Sequence, residues 1–147
     1  MGLFDAIDIA GSGLAAERLR MDVTAENLAN AQTTRTAQGC AYQRKEVVLQ
    51  EAGGGFGAAL VGAMGGPRAV ASASGVEVAA IVADPTTRQV YDPSHPDADA
   101  NGYVDMPNIN PVTEMVDLIS ASRAYEANVT AMQSAKTLFT KTLELLR

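Results

Sequence analysis

The chain has 147 residues, 47% hydrophobic and 19% charged, and a formal net charge of −6. This length suits one domain of ordinary size and is too short for two. The acidic balance argues against nucleic acid and direct lipid binding, because both attract positive patches. With a single cysteine, Cys40, the chain cannot close an internal disulfide.

Apolar residues at alternating steps of three and four predict a helix from Leu3 to about Ala31. A seven-residue spacing, typical of a coiled-coil seam, relates Ile7, Leu14, Met21 and Leu28. Gly11 and Gly13 interrupt this pattern, and each costs roughly 1 kcal/mol relative to Ala inside a helix. Two alternatives follow: the first ten residues form a separate short helix, or the glycines let another helix approach closely.

The middle of the chain has a different pattern. Residues 42–50 and 75–83 predict strands from their valines, isoleucine and partial alternation. Between them, residues 52–75 are rich in Gly and Ala and predict a mobile loop. From Asp84 to Asn110, prolines, acids and an Asn-Gly pair predict turns between short extended pieces.

The C-terminal pattern predicts one long helix. Asn110-Pro111 is a start signal, since Asn caps a helix and Pro suits its first turn. From Pro111 to Arg147 the helix would be about 55 Å long at 1.5 Å per residue. Its predicted seam comprises Met115, Leu118, Tyr125, Val129, Met132, Phe139 and Leu143. Val116, Ile119 and Leu138 lie off that seam, so a wide apolar surface indicates packing against other subunits.

The predicted fold is α+β, with long N- and C-terminal helices pairing as a coiled coil around a small β-rich insert. We expect three segments: an N-terminal helical segment (1–35), the insert (36–110) and the C-terminal helix (111–147). The seam residues of both helices are predicted to form the coiled coil and the subunit interface.

Two motifs offer other functions. Gly11-Ser-Gly13-Leu-Ala-Ala16 fits a dinucleotide fingerprint, whose mechanism needs a preceding strand and an acidic residue about 20 residues further on. Neither is present, and the heptad pattern continues through the glycines. We therefore interpret this segment as helix and predict no cofactor.

The segment from Asp97 to Asn108 resembles a calcium loop. Asp97, Asp99, Asn101 and Gly102 match the loop's early positions, but Asn108 stands where a bidentate Glu is expected. A tight turn with Asp and Asn side chains bonded to their own backbone is the favoured interpretation. No metal site and no catalytic residue are predicted, although weak calcium binding at this turn stays an open alternative.

Three blocks resemble the flagellar basal-body rod protein family. They are residues 14–35, which include Asn27-Leu-Ala-Asn30 and Thr33-Thr-Arg, residues 91–104, and the block Met115–Asn128. The chain is most similar to a proximal rod member of that family. Within the resemblance, Asn27, Asn30 and Thr33 are motif residues expected to cap the first helix and bond neighbouring backbone.

The resemblance implies a structural subunit of the bacterial flagellum and not an enzyme. Family members are exported by the flagellar type III apparatus without a cleaved signal peptide. They polymerise in the periplasm, with copies of themselves and other rod proteins, into a hollow drive-shaft that transmits torque and carries exported subunits. The three hypotheses predict different structures. A rod subunit would have terminal helices that are stable only in contact with partners. A calcium module would have a loop whose order depends on the ion, and a nucleotide enzyme would have a compact α/β core around Gly11–Ala16.

Overall fold

The computed structural model describes residues 3–52 and 75–145. In chain order the described elements are helix α1 (Leu3–Ala29), strands β1 (Arg44–Glu51), β2 (Val76–Asp84), β3 (Thr87–Tyr91) and β4 (Tyr103–Pro107), and helix α2 (Pro111–Leu145). Two long terminal helices are in contact with small two-stranded sheets, so the predicted α+β class is confirmed. The predicted mobile loop lies, apart from its two end residues, outside the described residues.

Helix α1 runs unbroken through both glycines, so the alternative of a separate short helix is wrong. The alternative of close approach is confirmed. A Cβ built on Gly13 would lie 2.9 Å from Asn128 Nδ2, and one on Gly11 would lie 3.9 Å from Met132 Cε. Since a later residue of α1 meets an earlier residue of α2, the helices are antiparallel here.

Helix α2 begins where the sequence predicts. Asn110 Oδ1 accepts a hydrogen bond from Val112 N at 3.0 Å, which satisfies one of the free amides of the first turn. Pro111 fills the next position, where a missing N–H costs nothing. The 35 residues of α2 extend over about 52 Å.

The strands form two separate pairs, β1 with β2 and β3 with β4. Strands β3 and β4 are antiparallel, and their register pairs Thr87 with Pro107 and Tyr91 with Tyr103. Gly102 precedes β4 with φ of 81°, a left-handed conformation that favours glycine in the connecting turn. The rings of Tyr91 and Tyr103 meet edge to face, with centroids 5.3 Å apart.

The described residues belong to two compact units. One draws on the described residues within 3–19, 48–52, 75–80 and 122–145, and the other consists of Arg20–Val47 and Ile81–Ala121. The second unit holds most of the deeply buried side chains, including Val104, Ile109 and Ala121. No helix in the described part of the chain combines the length and the apolar character needed to cross a bilayer.

Candidate functional site

A buried polar cluster joins α1, β1 and α2 in the second unit. We use the name polar cluster for Asn27, Tyr42, Arg44, Lys45 and Glu114. The side chains of Asn27 and Glu114 are almost fully buried, and the two residues are only 1% and 2% exposed. Buried amides and carboxylates cost free energy unless they are hydrogen-bonded. Their partners therefore decide what the cluster does.

Asn27 bonds the backbone of β1 in the manner of a neighbouring strand. Its Nδ2 donates to Lys45 O at 2.8 Å, and its Oδ1 accepts from Lys45 N at 2.9 Å. The side chain thus replaces both hydrogen bonds that a paired strand would supply to one residue. It does not cap α1; it attaches α1 to a strand 18 residues further along.

Glu114 supplies the negative charge of the polar cluster from the first turns of α2. Arg44 Nε donates to Glu114 Oε1 at 2.7 Å, and Asn27 Nδ2 donates to Glu114 Oε2 at 3.2 Å. The Glu114 carboxylate raises the pKa of Arg44 above its ordinary value, against an opposing effect of burial. Both carboxylate oxygens are therefore engaged by partners from α1 and β1.

Tyr42 completes the polar cluster. Its hydroxyl donates to Asn27 Oδ1 at 3.1 Å. Burial raises the pKa of Tyr42 to about 12, and the nearby carboxylates of Glu26 and Glu114 act in the same direction. The phenol therefore stays a neutral donor at physiological pH. The hydrogen bonds of this cluster hold secondary structure together, which is a structural and not a catalytic arrangement.

The other two motif residues act at the end of α1. Asn30 Nδ2 donates to Glu26 O at 2.9 Å, a carbonyl of the last helical turn that also accepts from Asn30 N at 3.1 Å. Thr33 Oγ1 donates to Asn30 Oδ1 at 3.1 Å and so orients that amide. The three motif residues therefore divide into one that attaches the helix to β1 and two that complete its end.

The structure places the predicted seam residues at different depths. Half-buried positions are Ile7, Leu14, Met21 and Leu28 on α1, and Leu118, Tyr125, Val129 and Met132 on α2. Met115, Phe139 and Leu143 are exposed. The deepest positions of α1 form a neighbouring stripe of small and polar residues, Ala10, Ala16, Val23, Thr24 and Asn27. Sequence periodicity missed this stripe because alanine and threonine carry little apolar signal.

Glu114 and Arg44 were also missed by sequence reasoning. A usable signal was present, because Glu114 lies four residues before Leu118 and 11 before Tyr125, on the same helical face. A carboxylate on a face that packs against another element requires a cationic or amide partner.

An exposed apolar face marks the start of α2. We use the name apolar stripe for Val112, Met115, Val116 and Ile119, which follow an i, i+3, i+4, i+7 spacing and share one face. They are 64%, 45%, 60% and 55% exposed. Contiguous exposed patches are typical of interaction surfaces, in contrast to scattered single apolar residues.

The later part of α2 is also exposed, and the hydroxyls of its threonines form hydrogen bonds within the helix itself. Leu138, Phe139 and Leu143 are exposed. The hydroxyls of four threonines donate to carbonyls three or four residues earlier in the same helix: Thr130 to Glu126, Thr137 to Gln133, Thr140 to Thr137 and Thr142 to Leu138. These donors are satisfied without any partner outside the helix.

The two alternative motifs take on local structural roles. Gly11–Ala16 lies inside α1, without the strand that a dinucleotide site requires. Asp99 Oδ1 accepts from Asn101 N at 2.8 Å and Tyr103 N at 2.9 Å, as in an Asx turn. These backbone hydrogen bonds lower the pKa of Asp99, and the bond from Tyr103 N has the largest effect. Within residues 3–52 and 75–145, no three His, Cys, Asp or Glu side chains are grouped to hold a metal ion.

Long paired helices, a structural polar cluster and an exposed apolar stripe define a protein that is built into an assembly. Comparison with known families agrees. Residues 7–35 match the family "Flagella basal body rod protein", and residues 100–145 match "Flagellar basal body rod FlgEFG protein C-terminal". The class is therefore that of the structural rod proteins of the flagellar basal body, which are not enzymes.

Full-length relatives narrow this class. The chain is 45% identical over 150 residues to the flagellar basal-body rod protein FlgC of Bacillus subtilis, covering 99% of both chains. It is 42% identical to FlgC of Salmonella typhimurium, covering 99% of this chain and 98% of the relative. Against FlgC of Aquifex aeolicus the identity is 39%, over 98% and 97% of the two chains. The chain belongs to the FlgC family of flagellar basal-body rod proteins and is a structural component of that rod.

Proposed function

We propose that the chain polymerises through its terminal helices into the proximal part of a hollow rod, which transmits torque and lets exported subunits pass through its interior. The apolar stripe of α2 carries this proposal. Four large apolar side chains stand 45–64% exposed on one helical face of a chain with net charge −6. Such a face has a use only when a partner covers it.

Covering the apolar stripe contributes favourably to assembly. Fully burying an exposed Val, Ile or Met side chain contributes about 1.5–3 kcal/mol before the entropy of ordering is counted, and these four, 45–64% exposed, have about half of that still to gain. A stripe on one helix that meets a different surface of the next subunit makes a heterologous contact. Repetition of such a contact gives an open helical filament when the rotation does not close.

The predicted seam residues extend the proposed interface. Half-buried positions such as Leu14 and Tyr125 gain further burial when a neighbouring subunit packs along the helix pair. Residues 1–35 and 111–147 then form the assembling part, and residues 36–110 form the insert. The partners are copies of this chain and other rod proteins. Export through the flagellar type III apparatus, without cleavage of a signal peptide, brings the subunit to the periplasm.

The test is complementation of a strain that lacks its own copy of this subunit. We expect Ile119→Asp and Val116→Asp to abolish motility and rod formation, because each places a charge in the covered stripe. Thr113→Asp is the matched control: it adds the same charge to the same helix at an exposed position, about 110° around the helix from the centre of the apolar stripe. Motility with Ile119→Asp equal to that of the wild type would contradict the proposal.

Two further substitutions test the seam. Leu14→Asp and Tyr125→Asp should also abolish assembly while the insert stays folded. Circular dichroism of each purified variant separates loss of assembly from loss of folding, and mass spectrometry of the rod-associated chain reports whether its N-terminal segment is retained after export.

A further inference from the structure

We propose that Asn27 and Glu114 fix the register of α1 against α2, so that the polar cluster specifies one alignment of the helix pair. The proposal concerns the folded chain alone and does not depend on rod assembly. Its basis is the geometry of the polar cluster and the contrast with the other buried residues.

The polar cluster accepts only one alignment. Asn27 Nδ2 lies 2.8 Å from Lys45 O and 3.2 Å from Glu114 Oε2, and Arg44 Nε lies 2.7 Å from Glu114 Oε1. Sliding α2 by one helical turn would move Glu114 by about 5.4 Å and break its bonds to both partners. A buried carboxylate and a buried amide would then lose hydrogen-bond partners, and a buried polar group without a partner costs the full free energy of its desolvation.

The neighbouring buried residues discriminate much less. Ala16, Val23 and Ala121 are deeply buried but carry small apolar side chains, which resemble one another in size and chemistry. Such surfaces pack in more than one register with little change in burial. Thr24 is buried and polar, yet its hydroxyl donates to Arg20 O at 2.8 Å within its own helix. This hydrogen bond therefore does not depend on the position of α2.

A buried ion pair is a poor source of net stability, because desolvation offsets its attraction. Its best-attested use is to set register, as a single buried Asn does in coiled coils. The polar cluster combines both devices, an Asn and an ion pair, at one level of the helix pair. In terms of the proposed function, a correct register decides at which height the apolar stripe is presented.

The experiment measures register directly in the full-length chain. With Cys40→Ser as background, spin labels are attached through Ala25→Cys on α1 and Ser120→Cys on α2, both exposed positions. Pulsed electron resonance then gives the distribution of distances between the labels. The variants compared are the apolar triple N27L/R44M/E114L, the single N27A, the conservative E114Q, and the matched control T24V.

We expect one narrow distance in the parent chain, in E114Q, which keeps an acceptor for Arg44, and in T24V. The triple variant should fold, as judged by its helical circular dichroism, and show a second population of label distances, because a slide by one turn shifts the two labels by about 5 Å relative to each other along the helix axis. A folded triple variant with one unchanged distance would overturn the proposal, as would equal broadening in T24V. If the triple variant fails to fold, N27A decides: a second population supports the assignment, and a single unchanged distance overturns it.

Discussion

The first 11 residues of α2 and the remainder of the same helix are built in different ways. In the first part, Glu114 and Ala121 are buried, and Glu114 is bonded to α1 and β1. From Ser122 to Glu144 every described side chain is half-buried or exposed. The first region is held by specific polar bonds on one face and exposes the apolar stripe on another, whereas the remainder has no fully buried side chain among its described residues. The comparison teaches that a single helix can combine a fixed anchor with a face left free for partners.

Amide hydrogen exchange on the dilute full-length chain should show the largest difference between the two regions. Amides after the first turn of α2, up to Ala121, should open only with global unfolding, because the buried side chains of Glu114 and Ala121 fix this part of the helix to the core. Amides of residues 133–145 should exchange almost as freely as a frayed helix. Equal protection along the whole helix would contradict the comparison, and protection of the later part on rod assembly would sharpen it.

Removing the Glu114 carboxylate, the anchor of α2 in the polar cluster, should be the most damaging single substitution. Glu114→Ala leaves the Arg44 guanidinium and the Asn27 amide without their buried acceptor, so we expect a loss of about 3–5 kcal/mol in the free energy of unfolding. Urea denaturation measures this loss. Glu144→Ala, an exposed glutamate of the same helix, is the matched control and should change stability by less than about 0.5 kcal/mol. Similar losses in both variants would remove the distinction between the two regions.

Alkaline pH should weaken the anchor through Tyr42. Its pKa is about 12 in the folded chain and 10.0 as an ordinary value, so only the folded state keeps the phenolic proton between these values. Stability from this group is complete below pH 10 and falls by about 1.4 kcal/mol per pH unit up to pH 12. Denaturation of the parent chain and Tyr42→Phe across this range checks the slope. Identical slopes would show that Tyr42 is not perturbed.

The glycines of α1 should give the smallest effects, and the two substitutions should differ. Gly11→Ala meets only Met132 Cε at 3.9 Å, so helix propensity should stabilise the chain by up to about 1 kcal/mol. Gly13→Ala would press on Asn128, with Nδ2 at 2.9 Å and Cγ at 3.3 Å, and should lose that gain. Thermal unfolding measures both. A Gly13→Ala variant as stable as Gly11→Ala would show that the helices are not in close contact there.

Local chemistry made the elements predictable. The Asn110-Pro111 signal located the start of α2, and β-branched runs located β1 and β2, because capping and strand preference act within a few residues. The anchor could not be predicted in the same way. Arg44 and Glu114 are 70 residues apart, and neither residue type is ordinarily buried. Asn27 was singled out by resemblance, but its bonds to Lys45 depend on where β1 packs, which no local pattern contains.

Threonines whose hydroxyls donate to their own helix make the later part of α2 compatible with both water and a protein neighbour. A hydroxyl that donates to its own helix presents mainly its methyl group outward, while its oxygen can still accept from water. The same surface can therefore be wetted in a free subunit and dried against a neighbour, without a donor being stranded in either state. A leucine in each place would favour premature aggregation, and a glutamate would oppose close packing. Threonine at these positions makes the helix compatible with both stages of an assembly.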